Sequence, residues 1–207
     1  MEISIKTNFS EVQRALANLQ VDVGQKALAS AINKSIAIAR TQMTREIPAE
    51  FNVSAGFVRQ RLRVSRARAG KGQVILRAEL AASGKGRGRG ANLIAFVTKA
   101  PGRKSARINA GTQGMLFVKI KRQGAAKPVK GKYGHGAFIG NKGRTVFERV
   151  GASRLPIKPV TTIDVPQMFN TRRINGKVVQ VMKQRFVGIF DNEARFFLAR
   201  FNSTGRA

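Results

Sequence analysis

The sequence predicts an α+β protein in which two helical segments flank a central region of short strands. Apolar residues recur at three- and four-residue steps near the N-terminus and mostly at four-residue steps near the C-terminus, the period of helices with one buried face. Between these segments, short apolar runs alternate with glycine-rich connections. We expect one domain over 1–207, with a long N-terminal helix packed on an antiparallel β-sheet or sandwich, projecting basic loops and a C-terminal helix.

The composition is that of a folded and strongly basic chain. Its 207 residues carry a formal net charge of +29, and 43% of them are hydrophobic, including thirteen phenylalanines. This length and this hydrophobic content are enough to bury a core, and the hydrophobic content is too high for a disordered basic tail. The absence of cysteine excludes disulfides and thiolate metal sites. Neither a signal peptide nor an apolar run of roughly 18 residues is present, so we expect synthesis in the cytoplasm and no membrane partner.

Two helices are predicted before Pro48. A short one runs over 10–19, with Ser10 as its N-cap, and a longer one runs over about 22–46. The longer helix starts at Asp22-Val-Gly-Gln25, which has the spacing of a capping box, and is expected to stop before Pro48. Its buried stripe is predicted to consist of Leu28, Ala31, Ile32, Ser35, Ile36, Ala39 and Met43. Small residues crowd this face, so a neighbour can approach closely.

The middle of the chain is predicted to contain strands joined by basic loops. Ser54 is expected to cap a short helix that runs through Leu62, after which the period becomes that of strands. Strands are predicted at 73–80, 93–97 and 115–121. Thirteen of the 21 glycines fall between 84 and 143, and we interpret 84–133 as basic loops and a long hairpin that project from the core.

The last third returns to regular structure. A hairpin is predicted from 137–140 to 145–150 across Asn141-Lys-Gly143, followed by an extended edge segment at 157–165. Pro166 is expected at the first position of a helix that reaches about residue 173.

The dipeptide Asn175-Gly176 fits either a tight hairpin turn or a helix break. The four-residue spacing that follows it favours a break and a closing helix over about 177–201. The apolar residues with this spacing are Val178, Met182, Phe186, Phe190, Phe197 and Phe201.

The clearest functional signal is the sign of the charge. Between Glu79 and Glu148 there is no acidic residue, and the same segment contains fifteen lysines and arginines. Soluble surfaces normally mix both signs, because a single-sign field repels itself. We therefore expect a permanent partner that is negative. Charge alone allows nucleic acid, an acidic protein surface or an anionic membrane.

Two groups of basic residues are predicted to contact DNA or an acidic partner. The first is a run of alternating arginines, for which a solvated surface is the alternative. The second lies in Gly/Lys/Arg loops, which suit phosphate contacts without sequence selectivity. The residues are Arg59, Arg61, Arg63, Arg66, Arg68, Lys85, Arg87, Arg89, Arg103, Lys104, Arg107, Lys127, Lys130 and Lys132. Few aromatic residues accompany them, so stacking on single-stranded bases is poorly supported.

Signals for catalysis are weak. The single histidine, His135, has no carboxylate near it in sequence, and the ten acidic residues show no metal-ligand spacing. The segment Gly86-Arg-Gly-Arg-Gly90 lacks the Gly-Lys-Ser/Thr that ends a phosphate-binding loop. We expect no enzymatic activity, no metal and no cofactor.

The order of several segments resembles the minor tail protein Z family of long-tailed bacteriophages. The resemblance covers about 25–170. It rests on Ala27-Leu-Ala-Ser-Ala-Ile-Asn-Lys-Ser-Ile-Ala-Ile-Ala-Arg40, Val58-Arg-Gln-Arg-Leu-Arg-Val-Ser-Arg-Ala67, Gly136-Ala-Phe-Ile139, Val146-Phe-Glu-Arg-Val150 and Leu155-Pro-Ile-Lys-Pro-Val160. It implies a virion protein of the tail or neck that completes the tail where the head joins it and DNA passes. Such proteins commonly form rings, often six-fold, and the family supplies no catalytic residues.

This resemblance defines the expected partners. They are further copies of the chain in a hexamer, other neck and tail proteins with acidic surfaces, and double-stranded DNA bound without sequence selectivity in the channel. Packing between subunits is assigned to Leu28, Ile32, Ile36 and Met43. The alternative is an RNA-binding protein of the ribosomal type, which is also basic, cysteine-free and rich in Gly/Arg loops.

Overall fold

The computed structural model describes residues 21–70, 73–83, 91–99, 116–129 and 136–204. In chain order, one long helix precedes and another follows a series of short antiparallel strands, which confirms the α+β prediction. The predicted helix at 10–19 and most of the predicted basic loops (84–90, 100–115 and 130–135) lie outside the described residues.

The described helices are α1 (Val21–Glu50), α2 (Ala55–Arg59), α3 (Val165–Phe169) and α4 (Arg172–Thr204), with a 3-10 helix at Leu93–Phe96. The strands are β1 (Leu62–Ser65), β2 (Arg68–Gly70), β3 (Gln73–Ile75), β4 (Glu79–Ala82), β5 (Ala91–Asn92), β6 (Val97–Lys99), β7 (Phe117–Val118), β8 (Lys127–Pro128), β9 (Phe138–Gly140), β10 (Thr145–Arg149), β11 (Ile157–Pro159) and β12 (Thr161–Thr162). They pair antiparallel as β1–β4, β2–β3, β5–β12, β6–β7–β8 and β9–β10–β11.

The chain divides into two compact units. Unit 1 contains the described parts of 1–45, 62–83 and 169–207, and unit 2 contains those of 46–61 and 84–168. The single domain expected from the sequence stays a prediction.

The core of unit 1 is a contact between the two long helices. Ala27 and Ala31 of α1 pack against Phe186 and Phe190 of α4, and all four side chains are buried. Alanine leaves room for the phenylalanine rings, each of which contributes about 1.5–3 kcal/mol when it is buried. The neighbour predicted from the small residues of α1 is therefore α4 of the same chain.

A buried carboxylate joins the same two helices. Glu193 of α4 accepts hydrogen bonds from Lys34 Nζ and from Ser30 Oγ (2.6 Å), both on α1. Burial raises the pKa of Glu193, but these hydrogen bonds and the charge of Lys34 outweigh it and hold the pKa below its ordinary value of 4.5. The carboxylate is therefore ionised and paired at neutral pH.

Helix α1 departs from its prediction at both ends. Asp22 lies inside the helix, where its carboxylate accepts from Lys26 Nζ (2.6 Å) in place of the predicted capping box. Pro48 also lies inside the helix, so the predicted stop before it is wrong. Arg122 explains the extension: its Nη1 donates to the Pro48 carbonyl (3.2 Å) and its backbone N–H to the Glu50 carbonyl (2.9 Å). The last turn thereby finds the partners that helix ends require.

Helix α4 is continuous through Asn175-Gly176, so the predicted break there is wrong. The Asn175 N–H donates to the Thr171 carbonyl at 2.9 Å, which continues the first helical turn. A glycine inside a helix costs only about 1 kcal/mol relative to alanine, which the buried face of the helix readily offsets. That face contains the predicted Val178, Met182, Phe186 and Phe190, whereas Phe201 is exposed.

Several shorter elements also differ from the predictions. Helix α2 ends at Arg59 and Leu62 already belongs to β1; the strand predicted at 115–121 is regular only in β7. The strand predicted at 93–97 is largely a 3-10 helix, because the Asn92 side chain accepts from the Ile94 N–H (3.1 Å) and favours a local turn. The helix expected from Pro166 to about 173 ends at Phe169, since Asn170 and Thr171 favour helix ends over interiors.

The predicted hairpin at 137–150 is confirmed as β9–β10, and its turn uses positive φ angles at Asn141 (51°), Lys142 (54°) and Gly143 (84°). The extended edge segment predicted at 157–165 is confirmed only in part: β11 is an edge strand, β12 pairs with β5, and Val165 already belongs to α3.

We expect Ala31→Leu to lower the free energy of unfolding by about 1–3 kcal/mol, because the larger side chain overpacks the contact with Phe186 and Phe190. Ala37→Leu, at an exposed position of the same helix, is the matched control and should change the unfolding free energy by less than about 0.5 kcal/mol. Urea unfolding followed by circular dichroism measures both, and equal effects would contradict tight packing.

We expect Glu193→Gln to lower the free energy of unfolding by about 1–2 kcal/mol at pH 7, since a charged hydrogen-bond acceptor is lost. The folded pKa is depressed, so the contribution of Glu193 is fully present above pH 4.5 and is lost as the pH falls through the lower folded pKa. The gap between wild type and variant should therefore shrink below pH 4.5. Asp191→Asn removes an exposed carboxylate from the same helix and is the control. A gap that stays constant with pH would argue against the ion pair.

Candidate partner-binding surface

Strands β1–β4 of unit 1 form one interrupted hairpin. β1 pairs with β4, from Leu62 opposite Ala82 to Ser65 opposite Glu79. β2 pairs with β3, from Arg68 opposite Ile75 to Gly70 opposite Gln73. Between these two ladders, residues 76–78 oppose only residues 66–67, which makes a bulge. The strand predicted at 73–80 is therefore split by this bulge into β3 and β4. We call β2, β3 and Leu76 the distal ribbon.

The bulge is fixed to helix α1 by a single asparagine. The Asn33 side chain donates from Nδ2 to the Ala67 carbonyl and accepts at Oδ1 from the Ala67 N–H, both at 2.9 Å. These two bonds satisfy the backbone of Ala67, which is buried and which the bulge removes from the β-ladder. The hairpin is thus anchored at its middle.

The distal ribbon, beyond this anchor, exposes apolar side chains. Val74 and Ile75 are each 48% exposed and Leu76 is 38% exposed. Arg66 and Arg68 on the same hairpin are exposed as well, as are Arg63 and Arg77. The surface therefore combines adjacent apolar residues with a basic border.

The two other predicted arginines belong to unit 2 and have different environments. Ser54 Oγ accepts from the Phe57 N–H (3.1 Å) and caps α2, which confirms the predicted cap, and Arg59 at the end of that helix is exposed. Arg61 is half-buried, and its guanidinium lies 3.6 Å from the centre of the Phe57 ring. Its Nη1 donates to the Phe57 carbonyl (3.2 Å), and its Nε lies 3.6 Å from Asp164 Oδ1.

Asp164 is the buried carboxylate that Arg61 faces. It is 4% exposed, and its Oδ1 accepts from the Val165 N–H at 2.7 Å at the start of α3. The Gln167 side chain accepts in turn from the Asp164 N–H at 3.0 Å. Asp164 therefore precedes the helix as its cap, which moves Pro166 to the second helical position instead of the predicted first one. Arg61 is held inside its own unit by these contacts.

The remaining predicted site residues are placed as follows. Lys127 is exposed on β8. Ile36 and Met43 are buried within this chain, and Leu28 and Ile32 pack beside the contact of Ala27 and Ala31 with α4. The partner contacts that lie outside the described residues are Lys85, Arg87, Arg89, Arg103, Lys104, Arg107, Lys130 and Lys132.

Three features of the described site residues were missed from the sequence. Val74, Ile75 and Leu76 were included in a predicted strand without being recognised as exposed, although three consecutive apolar residues without alternation are the signal of a strand with both faces apolar. Asn33 sits in the middle of a helix, where a polar residue carried no signal of its contact with Ala67. The buried role of Asp164 was not recognised either.

Within the described residues, no group of acidic or histidine side chains is arranged to hold a metal ion. No helix in that part of the chain is both long and apolar enough to cross a membrane.

The described residues thus form an α+β fold with an exposed hairpin that is both basic and partly apolar. Residues 9–202 match the family model of prophage minor tail protein Z (GPZ), and the chain belongs to this family. It is therefore a component of the phage tail in the virion, where it interacts with other tail proteins. No curated protein and no solved structure matches the chain.

We expect Arg61→Gln to lower the free energy of unfolding by about 1–3 kcal/mol, because the buried Asp164 loses its basic partner. Arg59→Gln, two residues earlier and exposed, should change the unfolding free energy by less than about 0.5 kcal/mol. Thermal and urea unfolding of the two variants measure the difference. Equal stability of both would show that the contact between Arg61 and Asp164 contributes little.

Proposed function

We propose that this tail protein completes the tail and joins it to the DNA-filled head, as a ring of identical subunits around the passage of the DNA. It acts by assembly and not by catalysis. The observation that supports this role best is the excess of basic over acidic groups in a chain of the minor tail protein Z family. Such an excess suits a position between negatively charged neighbours.

The chain cannot neutralise this charge from within. It has 39 lysines and arginines against 10 acidic residues. Several carboxylates are already used inside the chain: Asp164 and Glu193 are buried, and Glu148 accepts from Lys158 Nζ at 3.0 Å on the neighbouring strand. Little negative surface is left to balance the exposed arginines, so neutralisation has to come from partners.

The size of the excess indicates which partners matter most. In a hexamer, six copies at +29 each carry about 174 positive charges. A chain of this length has a radius of gyration of about 17 Å, so the ring is roughly 45 Å tall and encloses about 26 phosphate charges of duplex DNA. The excess is nearly sevenfold, and a channel lined with all of it would hold the DNA and hinder its ejection. Acidic surfaces of neighbouring neck and tail proteins therefore take most of the basic contacts, and DNA takes a minority.

We expect a phage with a nonsense mutation in this gene to accumulate filled heads and separate tails, because the joining component is missing. Electron microscopy of the lysate and the plaque titre measure the defect. Addition of the purified full-length protein to the lysate should produce joined particles and restore the titre.

The control is the same lysate with the Ala37→Leu variant, which should restore joining as well as the wild type. Joined particles in the mutant lysate without added protein would overturn the proposed role. Purified protein that retains host RNA, and that releases it steeply as salt rises, would favour the RNA-binding alternative. Rings that persist in high salt without nucleic acid absorbance support the assembly role.

A further inference from the structure

The distal ribbon has apolar side chains on both of its faces. In its antiparallel register Val74 pairs with Ala69, and Ile75 pairs with Arg68. Because successive residues of a strand point to opposite faces, Val74 and Ile75 lie on opposite faces of the ribbon. Each is 48% exposed, and Leu76 beside them is 38% exposed. Within the described residues, neither face is fully buried.

The edges of the ribbon are also open. β2 and β3 pair only with each other among the described residues, so each has an outer edge without a neighbouring strand. An isolated two-stranded ribbon is only marginally stable in water. Adjacent exposed apolar residues with a polar border mark an interaction site on a soluble protein. A ribbon with two apolar faces fits a groove better than a flat surface.

The border of the ribbon specifies the charge of that groove. Arg66, just before β2, and Arg68, in β2, are exposed. Arg77, in the bulge on the opposite strand, is exposed as well. The acidic residue of the hairpin, Glu79, is half-buried and paired with Ser65 on the anchored side of the bulge. A complementary groove therefore carries apolar side chains in its centre and carboxylates at its rim.

A second copy of the chain is a poor occupant of this surface. Two ribbons that met along their edges would bring arginines such as Arg68 close to each other, and like charges at an interface are destabilising. Asp164 and Glu193 are buried, and Asp22 and Glu148 already pair with Lys26 and Lys158, so a second copy offers few carboxylates, the exposed Asp191 among them, to border a groove for the ribbon. Nucleic acid is a poor occupant too, since phosphates leave Val74 and Ile75 without apolar contacts.

We propose that the distal ribbon is a docking arm that inserts into an apolar groove, rimmed by Asp and Glu side chains, on a different protein of the virion. The anchor at Asn33 presents the arm, the apolar residues on its two faces provide the buried contact, and the arginines select an acidic rim. This inference goes beyond the proposed joining role and holds for any position of the subunit in the tail.

The test uses the full-length protein and two defined probes, namely tails and filled heads purified from the nonsense-mutant phage. One variant, Val74→Thr with Ile75→Thr, removes apolar contacts and keeps the strand propensity. The other, Arg66→Gln with Arg68→Gln, removes charge only. The matched controls are Val150→Thr with Ile157→Thr, which are exposed apolar residues of unit 2, and Lys183→Gln with Arg185→Gln, which are exposed basic residues of α4.

We expect the wild type to cosediment with one of the two probes, and each ribbon variant to bind it about tenfold or more weakly, as central interface contacts do. Both controls should bind within about twofold of the wild type, the scatter that near-neutral interface positions show. The charge variant should also lose much of the salt dependence of binding. Unchanged thermal midpoints of the ribbon variants show that the fold of the subunit is retained.

Several results would overturn the proposal. Wild-type binding by both ribbon variants, or no binding of the wild type to either probe, excludes the docking arm. An altered oligomer size of the ribbon variants in light scattering assigns the surface to a second copy. Weaker binding of Arg66→Gln with Arg68→Gln to a duplex DNA fragment, with tail and head binding unchanged, assigns it to DNA. Head-tail joining is scored separately by microscopy, so failure of the joining role is distinguishable from failure of the docking arm.

Discussion

The packing of α1 against α4 is the constraint on which the organisation of unit 1 depends. Ala27 and Ala31 let the rings of Phe186 and Phe190 approach the backbone of α1, and Glu193 ties the same pair of helices through Lys34 and Ser30. The residues involved are far apart in sequence, so this contact joins the first and the last described helix of unit 1. The apolar packing supplies most of the stability of this contact. The buried Glu193 and its partners fix the alignment of α4 along α1.

The elements that the sequence predicted well are those whose signal is local and repeated. The stripe from Leu28 to Met43 and the spacing of Val178, Met182, Phe186 and Phe190 each repeat the helical period several times, and Asn141-Lys-Gly143 suits the positive φ angles of its turn. The predictions are wrong where a residue that is distant in sequence determines the local structure. Arg122 supplies donors to the end of α1 beyond Pro48, and Asn33 fixes the bulge at Ala67, and neither contact leaves a mark in the local sequence.

The sequence predicted the positive charge of the candidate site, but it predicted the position of the site only in part. Charge counting found the basic hairpin, because Arg63, Arg66 and Arg68 are exposed, yet it could not distinguish them from Arg61, whose partner Asp164 lies about a hundred residues away. The apolar residues of the distal ribbon follow a pattern that normally indicates a core strand. The hydrophobic pattern indicates that such residues become buried, but it does not indicate whether the same chain or a partner buries them.

The Asn33 anchor has a mechanical consequence for a protein of the tail. A pull on the hairpin beyond residue 67 is transmitted through the two hydrogen bonds of Asn33 into the middle of α1, one residue from Lys34 and its ion pair with Glu193. The load is thereby spread over the interlocked long helices, instead of peeling the strand pairs apart one after another. The long helices, and not the short strand pairs alone, therefore resist a force that acts on the hairpin.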